Sequence, residues 1–352
     1  MLMNDRNSQL DGWRGLSVLS VINLHLFFYH WPQKFESLHE LAFEGRWARM
    51  LYQVSLRPLQ EAGALAVPVF FLISGYIITT LLLREETRRG SISISAFYVR
   101  RIFRIVPALV IFLLSVLLLD GLGVLEADRG SYAASALFAC NIYQCDWWHA
   151  HLWSLAVEEQ FYLAWPLLFV FVKRGRMQLI VALVATFFLL AFVFEIYRSF
   201  LYISLGVLFA VDRDGERMLK LSPAVAWGCA VLILAGSFIQ AIAGLSPVIA
   251  AAKPFVLAGL FFASFESRGM SKVLAFPPLV AIGRASYGLY LWQQLFTAPA
   301  GKQLIFTGDW QLLLLPLIVI LLYRFVEIPM IAMGRGFSDR LQHANLKERA
   351  AE

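Results

Sequence analysis

The chain has 352 residues, 59% of them hydrophobic and 15% charged, with a formal net charge of +6 and a mean hydropathy of +0.67. A soluble domain of this composition would expose too much apolar surface, so the sequence reads as a polytopic membrane protein. The basic excess does not mark a nucleic-acid binder, because Lys and Arg fall in alternate short loops between apolar runs. Three cysteines define neither a disulfide scaffold nor a zinc set.

The first predicted element is the stretch Leu10–Trp31, LDGWRGLSVLSVINLHLFFYHW, which reads as a membrane helix from Gly15 onward. It carries Arg14 at its entrance and His25 about 15 Å further in, halfway through a ~30 Å hydrocarbon core. Eleven residues at about 100° each return nearly to the starting angle, so Arg14 and His25 share one face, three turns apart. An ionisable ring at that depth is costly and points to a site, although a transmembrane histidine also serves as a hydrogen-bonding partner for a neighbouring helix. No small-residue cleavage site follows, so the helix is expected to be retained.

The remaining apolar runs are Ala62–Leu83, Ile102–Leu125, Leu152–Val172, Gln178–Tyr197, Ser199–Val211, Pro223–Ala243, Pro247–Phe265, Pro277–Pro299 and Gln311–Ala332. With the first, they predict a bundle of about ten transmembrane helices. Ser199–Val211 is too short to cross straight and is expected to be tilted or half-length. With the N-terminus in the cytoplasm, twenty of the 30 Lys and Arg lie inside and eight outside, Arg284 and Arg324 falling within spans. That bias places both termini in the cytoplasm. Residues 1–335 are expected to form the membrane domain and 336–352 a short cytoplasmic tail.

Along the chain, Ser74 and Gly75 of FFLISGY are small residues that let helices approach closely. In FYVRRIFRIVPAL, Arg100, Arg101 and Arg104 cluster where the third span enters the membrane, and Pro107 follows. Positive-inside anchoring accounts for arginines here; the functional reading is that guanidinium forks hold a phosphate-rich ligand arriving from the cytoplasm. Cys140 and Cys145 share an outer loop, paired or as two free thiols. The fourth span opens HLWSLAVEEQFYLAWPLL, where Ser154, Glu158 and Tyr162 make a polar stripe at helical spacing, with Glu159 about 100° round. Adjacent carboxylates in an apolar run are costly without partners, which points to a functional role. Gly288 in ASYGLYLW reads as packing, with Tyr287 beside it. Glu327 is expected to brace Arg324 at i, i+3.

Taken together, LDGWRG…H, FFLISGY, FYVRRIFRIVP, HLWSLAVEEQFYLAWPLL, ASYGLYLWQ and VEIP resemble the membrane-bound acyltransferase-3 family, which O-acylates glycans, from Leu10 to about Pro329. The resemblance implies about ten membrane helices in a bacterial plasma membrane. It implies His25 as the catalytic residue, its partner Arg14 and the basic motif Arg100, Arg101 and Arg104 as donor-binding, and Glu158, of the acidic motif, as a second catalytic residue. Asp11, Ser154, Glu159, Tyr162, Ser74 and Tyr287 are expected to bind substrate or support the site. Gln293 stands where many relatives carry histidine, and the chain is expected to lack the extracytoplasmic hydrolase-like domain of some relatives.

The expected reaction moves an acyl group, acetyl or a near homologue, from acetyl-CoA to a hydroxyl of an exported or lipid-linked glycan. His25 would act as general base or transient acyl carrier, with no metal and no nucleic-acid partner. The rival readings are a transporter or flippase using the same intramembrane charges, and a non-catalytic family member.

Overall fold

A computed structural model describes residues 7–27, 57–214, 221–239, 246–299 and 309–351. These are helical throughout, with no strand among the described residues. Helix α1 spans Ser8–His25, α2 Arg57–Arg89, α3 Ile94–Gly121, α4 Arg129–Ala136, α5 Trp147–Ala150, α6 Leu152–Phe171, α7 Arg176–Leu190 and α8 Ile196–Asp214. Then come α9 Pro223–Ile239, α10 Ser246–Ala263, α11 Arg268–Leu274, α12 Pro277–Arg284, α13 Ser286–Phe296, α14 Leu314–Leu322 and α15 Ile328–Ala351.

Each of the ten apolar runs carries helix, but among the described residues length and apolarity alone qualify only 60–89, 94–121 and 310–342 to cross a membrane. Residues 248–263 and 268–274, bent by 87°, make a fourth if they form one span. Helix α1 is not among them: its 18 residues include Asp11, Arg14, Asn23 and His25, so it depends on protein cover. Residues 28–56, which include the end of the first run, lie outside the described residues.

Local chemistry starts several helices. The Asn7 side chain accepts from the Gln9 amide at 2.9 Å, and the Ser93 and Asp128 side chains cap α3 and α4. Two expected boundaries shift. The run 277–299 is broken at Ala285 into α12 and α13. The last run continues through a π turn, Tyr323–Glu327, into α15, which runs without interruption across residue 335.

The chain divides into two compact units, residues 1–83 with 172–286 and residues 84–171 with 287–352. In the first, α1 lies against α11 and α12 at unusually short range. A Cβ on Gly12 would fall 1.9 Å from the Leu274 carbonyl oxygen, and one on Gly283 1.7 Å from that of Asp11. Only hydrogen at these positions permits the contact. Trp13 anchors the same helix, donating its indole N–H to Ser264 Oγ at 2.9 Å. Gly75 of the FFLISGY stretch meets the backbone of α8 at Ile203 in the same way.

In the second unit, α3 packs along α15, and α6 follows α5 directly. Leu114, Leu117 and Leu118 of α3 and Leu317, Ile320 and Phe325 near the chain's end are exposed. Rows of this kind are expensive in water and cost nothing in lipid. The loop before α5 holds a Cys140–Cys145 disulfide.

Candidate functional site

The sequence-predicted residues fall in two groups, one in each unit. In the first unit α1 carries Asp11, Arg14 and His25. The half-buried His25 ring places Nδ1 2.8 Å from the Val21 carbonyl oxygen. A carbonyl only accepts, so in the neutral ring Nδ1 carries the proton and Nε2 the lone pair. The contact one helical turn back thus selects the tautomer and gives the imidazole a basic nitrogen.

About four turns earlier, Asp11 is 1% exposed. Arg14 Nη1 lies 3.7 Å from its Oδ1 and Arg284 Nε 3.5 Å from its Oδ2. One carboxylate therefore serves two guanidiniums. Arg284 was placed in a span by the sequence and given no role there; an arginine inside an apolar run was the available signal. Ser74 is buried in α2, beside the close approach to α8.

The second unit gathers the rest. Tyr162 donates its hydroxyl to Glu158 Oε2 at 2.8 Å, one helical turn back, as the i, i+4 spacing predicts. The Arg101 guanidinium lies 4.2 Å above the Tyr162 ring centroid, a cation–π arrangement. Glu159 sits within electrostatic range of Arg101 and Glu158, and one of its carboxylate oxygens is buried with no hydrogen-bond partner. Tyr287 donates to the Ile105 carbonyl at 2.9 Å and feels the charges of Glu159, Glu327, Arg104 and Glu158. Ser154 shares a 2.6 Å hydrogen bond with the Tyr290 hydroxyl, which itself donates to the His151 carbonyl at 2.8 Å.

The three arginines of α3 do not form one patch. Arg100 pairs with Glu85 at 3.0 Å and donates to Ser338 Oγ at 2.5 Å, while Gln342 donates to Glu85 as well. Arg101 turns to Tyr162 and Arg104 to Glu327 and Tyr287. The expected Arg324–Glu327 brace is absent: Arg324 is exposed and Glu327 is 5% exposed, next to Gly288. The π turn at 323–327 is wider than an α turn and rotates the i, i+3 pair apart. Gln293 is fully buried. It donates to Gln294 at 3.1 Å and accepts from Thr297 at 3.0 Å.

His149 lies just before the fourth apolar run. The structure buries it completely, with Nδ1 2.8 Å from Asp146 Oδ1. Asp146 lies outside the spans. Burial works against its charge, but hydrogen bonds from His149 and from the Asp128 amide outweigh that and hold its carboxyl below the ordinary range.

A family profile described as an acyltransferase domain matches residues 7–326. The chain belongs to this acyltransferase family. Among curated relatives, the peptidoglycan O-acetyltransferase OatA of Listeria monocytogenes is 28% identical over 94% of this chain and 57% of its own length. The O-acetyltransferase OatA of Staphylococcus aureus is 28% identical over 92% of this chain and 57% of its own. The putative peptidoglycan O-acetyltransferase YrhL of Bacillus subtilis is 28% identical over 96% and 57%. This acyltransferase-family chain thus spans little more than half the length of these relatives. No solved structure matches it. The family match runs from α1 into the π turn, and so covers both groups of polar residues apart from Glu327, Ser338 and Gln342.

Proposed function

We propose that the chain is a membrane O-acyltransferase that moves an acetyl or similar acyl group from cytoplasmic acyl-CoA to a hydroxyl of an exported or lipid-linked glycan. The observation that carries this reading is His25, whose Nδ1 is committed to the Val21 carbonyl at 2.8 Å so that Nε2 holds the basic lone pair. The family match and the O-acetyltransferase names of the relatives support acyl transfer to a glycan. The arginine pattern of α1 and α3 supports a phosphate-bearing donor, with both termini cytoplasmic.

Two routes use the same nitrogen. As general base, Nε2 takes the proton of the acceptor hydroxyl while its oxygen attacks the thioester carbonyl; the C–S bond breaks and the thiolate takes the proton from the imidazolium. As carrier, Nε2 itself attacks the thioester carbonyl, the C–S bond breaks and the thiolate departs, leaving an N-acyl imidazolium whose Nδ1–H stays on the Val21 carbonyl. The acceptor oxygen then attacks that acyl group, the N–acyl bond breaks to restore the Nε2 lone pair, and the hydroxyl proton is released as the thiolate takes one up. Arg14, three turns from His25, contacts the donor rather than the imidazole. In the second unit, Arg101, ordered over Tyr162, and Arg104 are donor-binding residues, and Arg100 fixes the start of α3 through Glu85 and Ser338. Glu158, Glu159, Ser154 and Tyr287 of the same unit bind or support the substrate, and buried Ser74 supports the first unit.

The test is acyl transfer from radiolabelled acetyl-CoA by the purified protein in lipid nanodiscs supplied with glycan acceptor. Label moves or the thioester is hydrolysed with the wild type and stops with His25→Ala. A protein that leaves the thioester intact refutes the reading. Label trapped on His25 by rapid denaturation near neutral pH selects the carrier route.

A further inference from the structure

We propose that Arg284 is a phosphate-binding residue, positioned with Arg14 on the two oxygens of Asp11, and that its ligand is the phosphate portion of the acyl donor. This rests on the acyl-CoA reading above and adds to it a residue with no assigned role.

The geometry is specific. Asp11 is 1% exposed and lies between Arg14 Nη1 at 3.7 Å and Arg284 Nε at 3.5 Å. The Arg284 separation exceeds the 2.7–2.9 Å usual for charge-assisted hydrogen bonds, so the carboxylate orients that guanidinium without closing a fork on it. Arg284 meets Asp11 through Nε, which leaves the two Nη groups of a side chain 46% exposed. That end of the guanidinium is the part whose spacing matches two phosphate oxygens.

The backbone is built to hold this arrangement. Gly283, the residue before Arg284, is pressed onto the Asp11 carbonyl so closely that a Cβ would lie 1.7 Å from it. Arg284 occupies the last turn of α12, where a cation is favoured by the helix dipole, and the chain breaks at Ala285 immediately afterwards. Orientation signalling needs no such contact, since an arginine in any cytoplasmic loop serves it equally well.

A phosphate at this position belongs either to the soluble donor or to an anionic lipid headgroup, and kinetics separates them. The full-length protein is reconstituted in phosphatidylcholine nanodiscs and assayed with acetyl-CoA and with acetyl-pantetheine, which lacks the phosphates. Arg284→Gln should raise KM for acetyl-CoA about tenfold, what one charge-assisted hydrogen bond supports. It should change kcat less than about twofold and leave KM for acetyl-pantetheine unchanged. Arg284→Lys should recover part of the loss, and Arg268→Gln, at an exposed position on α11, should change nothing. Asp11→Asn adds positive charge yet should also raise KM, because both guanidiniums lose their anchor.

A wild-type KM in Arg284→Gln, or an equal rise with the phosphate-free donor, overturns the proposal. An effect seen only when phosphatidylglycerol is present assigns the ligand to lipid and overturns the donor assignment. A wild-type protein inert towards acetyl-CoA refutes the underlying reading and takes this one with it. A turning-over wild type beside an unaltered variant refutes this one alone.

Discussion

Tyr162 offers a graded test of the acidic group, because its ring and its hydroxyl do separate work. The hydroxyl donates to Glu158 Oε2 at 2.8 Å and the ring face carries Arg101 at 4.2 Å. Tyr162→Phe removes only the hydrogen bond to a carboxylate, worth about 1.5–3 kcal/mol. If Glu158 must be held in place for turnover, about 2 kcal/mol in the transition state lowers kcat/KM roughly thirtyfold. Tyr162→Leu also removes the cation–π contact, about 2 kcal/mol for a desolvated pair. Its loss should reach several hundred-fold, short of strict additivity because the contacts share one side chain. The assay is label transfer from acetyl-CoA, with thermal melting to confirm that each variant is folded. Arg101→Lys tests the upper half of the stack, since an ammonium lacks the planar face that guanidinium lays on the ring. A folded Tyr162→Phe within about twofold of wild type would refute the claim that this hydroxyl orients Glu158. Equal losses in Tyr162→Phe and Tyr162→Leu would refute the role given to Arg101.

Two further expectations concern the parts that hold the site. Gly283→Ala places a methyl 1.7 Å from the Asp11 carbonyl oxygen, so α1 and α12 must separate; overpacking of this kind costs about 1–3 kcal/mol. Its melting midpoint should fall and acyl transfer should drop, while Gly228→Ala in α9, with open space around the new Cβ, should melt as wild type does. The third concerns Asp146, whose carboxyl is held below the ordinary range because His149 and the Asp128 amide outweigh its burial. A depressed pKa contributes stability that is complete above the unfolded value and is lost as pH falls through the folded one. Corrected amide exchange across 128–149 should therefore stay flat from pH 7 to 5 and quicken only below about pH 4. Asp146→Asn should abolish that step, and a decline already under way between pH 7 and 5 would assign the transition to another group.

The legible parts of the chain are those governed by local repetition. Apolar runs became helices, and Ser154, Glu158 and Tyr162 shared a face because four residues make roughly one turn wherever they occur. The partners of the polar residues were not legible, because contacts remote in sequence chose them. Arg100 and Arg101 are neighbours, yet one step of about 100° sends Arg100 to Glu85 and Ser338 and Arg101 to Tyr162. Glu327 was assigned to Arg324 on an α-helical spacing that a π turn replaces.

The run 277–299 shows where the local and remote rules meet. Hydropathy reads it as one span, and its interruption at Ala285 carries no proline at the break and no composition shift. What the sequence does show is Arg284, a charge in an apolar run that a membrane accepts only with a partner. The partner, Asp11, lies at the other end of the chain and is reached only because Gly283 has no side chain. The charge, the glycine before it and the break after it are thus one feature. A helix that continued straight through Ala285 would carry its next turn past α1, whereas ending it there leaves Arg284 in a terminal turn beside the carboxylate. An unexplained charge inside a predicted span is accordingly a guide to where that span ends as well as to what it binds.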